Sequence, residues 1–106
     1  MPNILSCLPD ASQGEIFTEL LARPGIRIER IVSRGQVTPV DRPYDQGHDE
    51  WVLLLAGAAS LWVEGEGERG LTPGDALLIP AHVRHRVTRT SVEPPAIWLA
   101  VHLEGE

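Results

Sequence analysis

Apolar and polar positions alternate along this chain in short runs cut by glycine and proline. Residues 26–29 read Ile-Arg-Ile-Glu before the run closes on Arg-Ile-Val, which predicts a strand with one buried face. Trp51 to Leu55 is apolar at both parities, and that predicts a strand covered on both sides. Shorter runs at 58–63, 68–71, 76–79, 84–90 and 97–103 predict further strands. Turn signals separate them: Pro24-Gly25, Gly57, Gly65-Glu66-Gly67, Thr72-Pro73-Gly74-Asp75, Pro80 and the 91–95 loop. Residues 35–43 are polar and interrupted by proline, so they form a loop or an edge strand. Segment 14–23 reads two ways. Ser12 with Glu15 has capping-box spacing, and Ile16 with Leu20 and Phe17 with Leu21 have helical spacing. Residues 1–13 read as an arm. Many short strands, no repeat and no linker predict one all-β domain over 1–106, a sandwich or a barrel.

Composition narrows the function classes. A chain of 106 residues with 42% hydrophobic positions is long enough for one core without staples. Its net charge of −6 argues against nucleic acid, because nothing neutralises a row of phosphates. Cys7 is the single cysteine, which excludes an internal disulfide and cysteine-rich zinc sites. With no signal-peptide pattern and no apolar run approaching ~18 residues, the expectation is a cytoplasmic protein without a membrane partner.

Candidate chemistry gathers in two stretches. The first runs from Tyr44 to Gly57 and carries Tyr44, Gln46, His48 and Glu50 at even positions before an apolar strand. In one straight strand, Gln46 and Glu50 would stand ~13 Å apart at ~3.3 Å per residue. A bend at Gly47 brings them together; a regular strand leaves His48 as the nearer partner of Glu50. The second stretch holds Gly74, Pro80, His82 and His85 as a turn-strand-turn-strand unit.

Glu50 with Gly57 six residues on, and Gly74, Pro80 and His85 at their spacing, resemble the two motifs of the cupin family, in particular its small single-domain bacterial members. The strings Asp-Glu-Trp-Val, His-Arg-Val and Trp-Leu-Ala-Val-His are similar to one such subgroup, and the likeness covers roughly 26–103. The resemblance implies a jelly-roll β-barrel, often dimeric, with a central pocket, and it reads 14–23 as a strand. It also implies a divalent metal ion (Zn, Fe, Ni or Mn) held by Glu50 and His85. Where many members carry two histidines, this chain has Tyr44 and Gln46, so the implied ligand set is Gln46, Glu50 and His85, with His48 as second choice. His82 replaces a motif glycine and Arg89 a motif asparagine.

Around that set, Tyr44, Arg89 and His102 are further pocket candidates. Arg89 shares the parity of His85, and His102 that of Trp98. Arg84 and Arg86 belong on the outer surface, His82 in an exposed turn, and Trp51 and Trp62 in packing. Three functions stay open. One is a small-molecule cupin using a metal as a Lewis acid or to activate oxygen. The second is a metal-free binding or sensory barrel. The third is metal-free acid–base chemistry of the isomerase or epimerase kind by Tyr44, Glu50 and His85. A two-fold homodimer is expected, through 14–23 or the apolar outer positions of the first strands.

Overall fold

The computed structural model describes residues 3–104, which form eight strands and no helix. They are β1 (Ile16–Arg23), β2 (Ile26–Ser33), β3 (Asp49–Ala56), β4 (Ala59–Val63), β5 (Gly67–Leu71), β6 (Ala76–Ile79), β7 (His85–Thr90) and β8 (Ala96–Leu103). Their ladders make two antiparallel sheets, β1-β2-β8-β3-β6 and β5-β4-β7. Among the described residues the ladders do not join into one closed barrel, so the architecture is two sheets packed over a shared core. The strands fall where the apolar runs and turn signals put them, within one or two residues at each end.

Segment 14–23 becomes a strand because its neighbour completes it. β1 pairs with β2 from Ile16↔Val32 to Arg23↔Ile26 across the Pro24-Gly25 turn, with a bulge at Leu20. An isolated helix of two turns is marginal in water, whereas the hairpin satisfies the same backbone groups by a ladder. The arm lies against β2. Arg30 donates from Nη1 to the Ile4 carbonyl at 3.1 Å, and Gln36 donates to the Ala11 carbonyl at 2.7 Å.

Val52, Leu54, Leu61, Val63, Leu71, Ile79 and Trp98 fill the space between the sheets. Along β3 the alternation is strict: Glu50, Val52 and Leu54 point inward and are buried, while Trp51 is 37% exposed on the outer face. The expectation that β3 is covered on both sides is therefore corrected. Its outer positions continue an apolar row across the whole sheet, Leu78–Trp51–Val101–Ile28–Leu21 in register. Gly57 ends β3 with φ +77°, and a Cβ there would overlap the Pro95 carbonyl, so this turn requires glycine.

Candidate functional site

One end of the sandwich stays open. A cavity of about 90 Å3 lies between the sheets, with Val52, Leu61, Ile79, Val87 and Trp98 as its floor. Phe17 and Tyr44, 52% and 42% exposed, mark its mouth. Each inward-facing strand reaches this end with a polar residue: Glu29 from β2, Glu50 from β3, His85 from β7 and His102 from β8. Glu50 and His102 are directly opposite one another in the ladder.

The chain bends at Gly47 and His48 before β3 begins. The bend turns Gln46 back onto the strand, where its Nε2 donates to Glu50 Oε1 at 2.8 Å. His85 Nε2 lies 3.8 Å from the same oxygen. Gln46, Glu50 and His85 therefore meet on the cavity wall. His85 is buried and fixed from behind: Nδ1 lies 3.2 Å from the Val83 carbonyl, which can only accept, so Nδ1 carries a proton and in the neutral ring the Nε2 lone pair faces the cavity. Tyr44 stacks on the His85 ring at 5.3 Å, held by paired backbone bonds between the two residues. Burial pushes the Tyr44 phenol above its ordinary range, and the negative charges of Glu15, Glu50 and Glu29 push it further.

His48 does not reach Glu50. Its Nε2 lies 2.9 Å from His102 Nδ1, and His102 Nε2 lies 2.9 Å from Glu29 Oε1. Glu29 accepts from Nε2–H of His102, which leaves His102 Nδ1 to accept from His48. Arg27 closes the chain on Glu29 Oε2 at 3.1 Å. This row of four connects the half-buried bend to the cavity wall. Arg89 is not at the cavity mouth. A bulge at Thr88 shifts the register of β7 against β4, so Val87 faces Leu61 inward while Arg89 opposes Ser60 on the outer face, exposed. Arg84 pairs with Glu64 at 3.0 Å and Arg86 lies 4.9 Å over the Trp62 ring, both outside. His82 holds φ 65° in an exposed turn, 3.2 Å from Asp45, the backbone conformation for which the motif's glycine is suited.

Three cavity residues escape the sequence reading: Glu15, Phe17 and Glu29. The Ile26/Ile28 alternation marks the apolar side of β2, yet that side faces outward and Glu29 faces the cavity. The parity break at Arg30-Ile31 is the one signal in the sequence, since Ile31 shares the side of Glu29. Glu15 and Phe17 are hidden by the helical spacing of 14–23. Glu15 accepts a short hydrogen bond from the buried Ser33 hydroxyl.

The donor set suits a transition metal poorly. Gln46 turns its NH2 group to Glu50, so its carbonyl is not the atom beside that carboxylate. The raised phenol of Tyr44 keeps its proton. Among the described residues no three His, Cys, Asp or Glu side chains gather closely enough to hold an ion. Of the implied ligands only Glu50 and His85 are strong donors, fewer than the three protein ligands of ordinary catalytic zinc sites.

The family model for the cupin domain matches residues 30–102. The chain belongs to the cupin family. A crystal structure from Ralstonia eutropha JMP134, provisionally named mannose-6-phosphate isomerase, is 43% identical to this cupin with a TM-score of 0.92, covering 99% of this chain and 98% of that one. KdgF from a Halomonas species is 22% identical with a TM-score of 0.78, covering 99% and 94%. A cupin superfamily protein from Desulfitobacterium hafniense DCB-2 is 19% identical with a TM-score of 0.78, covering 97% and 88%. The last two are similar in fold alone. No curated protein matches the sequence.

Proposed function

We propose that this cupin binds a small organic molecule in the cavity between its sheets. The observation that carries the reading is the convergence of Gln46, Glu50 and His85 on a cavity with an apolar floor, with a lone pair of a buried histidine left facing the space. The donor set favours a site that works through these side chains, not through a resident metal. A ligand-observed NMR screen of neutral, cationic and anionic fragments tests it. Hits that vanish in a folded Val87→Phe variant, whose larger side chain fills the cavity, support the reading. Hits indifferent to Val87→Phe, or none at all, contradict it. Elemental analysis of untagged protein gives substoichiometric metal on this reading; a full equivalent of one transition metal contradicts the metal-free part.

A second reading is acid–base isomerisation, favoured by His85 and Tyr44. His85 presents a lone pair fixed by Val83, and Tyr44 holds its proton beside it, so one can take a proton and the other give one. The name of the Ralstonia relative supports an isomerase, but no arginine lines the cavity to meet a phosphate. We expect no turnover of mannose 6-phosphate. Chelator-insensitive turnover that is lost in His85→Ala would establish the second reading instead.

The homodimer is a proposal for the outer face of the five-stranded sheet. The row Leu78–Trp51–Val101–Ile28–Leu21 carries no charge, so a second copy laid across it by a two-fold axis strands no ion. Sedimentation should give a dimer that Trp51→Glu dissociates; a monomeric wild-type chain at micromolar concentration removes the idea.

A further inference from the structure

The cavity wall has a one-sided hydrogen-bonding chemistry. Glu15 uses one carboxylate oxygen on Ser33 and Glu50 uses one on Gln46. Their second oxygens and His85 Nε2 receive no donor from the described residues. His85 is nine-tenths buried, so this lone pair can be satisfied only by what enters the cavity. The donors nearby are spent: Gln46 on Glu50 and His102 on Glu29. The Tyr44 hydroxyl is a further donor in the wall, without a partner among the described residues.

The charge is equally one-sided. Glu15, Glu29 and Glu50 line the cavity and no arginine does, in a chain without lysine. Arg27 answers Glu29 at 3.1 Å. Arg89 faces away. Glu50 is 8% exposed, its hydrogen-bond partner is a neutral amide, and His85 Nε2 stands 3.8 Å away, beyond hydrogen-bond distance. A buried carboxylate without a cation is costly, and a cationic guest removes that cost.

Resting on the reading of this cavity as a small-molecule site, we infer that its ligand is a small organic cation: a primary ammonium on a short apolar stem. The ammonium donates to Glu50 and to His85 Nε2, which lie 3.8 Å apart, with the Glu15 carboxylate in the same cavity wall. It has three donors and no acceptor, the complement of the wall. The stem lies on Val52, Leu61, Ile79 and Trp98. At about 90 Å3 the space is several times the ~10–15 Å3 that one water needs, and a short stem of about four carbons serves as the probe.

Titration calorimetry of the full chain with n-butylammonium, 1-butanol and butyrate tests the inference, with zinc chloride as a separate titrant. Butylammonium should bind about tenfold or more tightly than butanol, and butyrate not detectably. Glu50→Gln should bring butylammonium down to the level of butanol. Should that variant misfold by circular dichroism, Glu15→Gln should weaken butylammonium alone. Butanol or butyrate binding as tightly as butylammonium overturns the charge assignment while the small-molecule site stands. Stoichiometric zinc that excludes butylammonium overturns it in favour of a metal. Binding of none of the probes overturns the ligand class, and the fragment screen against Val87→Phe then decides the site reading separately.

Discussion

The two ends of the sandwich are built from the same strands and do opposite things. At the closed end β3 contributes Leu54 and β8 contributes Trp98 and Ala96, all buried in the common core. Four residues along, β3 contributes Glu50, and β8 contributes His102 opposite it. β7 makes the same change between Val87 and His85, and β2 between Ile31 and Glu29. The strands thus keep one inward face throughout and switch its chemistry at one level of the fold. The closed end supplies apolar burial, which is where stability comes from. The open end holds carboxylates and imidazoles beside an apolar floor, an arrangement that costs stability and is useful only to a guest.

That contrast can be broken by mutation. Leu54→Ala at the closed end, where the side chain is fully buried, should cost about 2–5 kcal/mol in denaturant unfolding. Gly57→Ala, forced into a positive φ against the Pro95 carbonyl, should cost about 1–3 kcal/mol. At the open end Glu50→Gln should leave stability within about 1 kcal/mol of wild type while removing the preference for a cation. An unfolding cost for Glu50→Gln as large as that for Leu54→Ala would erase the distinction between the two ends. Arg89→Ala should change stability by no more than about 0.5 kcal/mol and leave ligand binding unaltered, because the residue sits outside.

The closed end was the more legible in sequence, for a physical reason. Apolar runs and glycine or proline stops are local signals, and β3, β4, β6 and β8 follow them within a residue or two. The bend at Gly47 was also legible, since geometry forbids Gln46 and Glu50 from meeting without it. The open end depends on longer-range facts. Which face of β2 turns inward is decided by its pairing with β8, so Glu29 was hidden behind the Ile26/Ile28 alternation. Glu15 and Phe17 were hidden because β1 exists only through its hairpin with β2. The parity that placed Arg89 with His85 failed at a bulge, which inserts one residue without any mark in the sequence. The exposure of Trp51 follows from the sheet being covered on one side only.

The negative character of the open end can be read without any ligand, because Tyr44 is the only tyrosine in the chain. Its phenol is raised above the ordinary 10.0 by burial and by the carboxylates around it. The folded state therefore holds that proton more tightly than the unfolded chain. The sign follows: the contribution to stability is complete below pH 10.0 and is lost as pH rises toward the folded value. Ultraviolet titration of wild type against Glu50→Gln measures the field directly. The account predicts a single phenol titrating above its ordinary value in wild type and at a lower pH once Glu50 is neutral. A phenol that titrates at or below the ordinary value, or one that Glu50→Gln leaves unmoved, would contradict it.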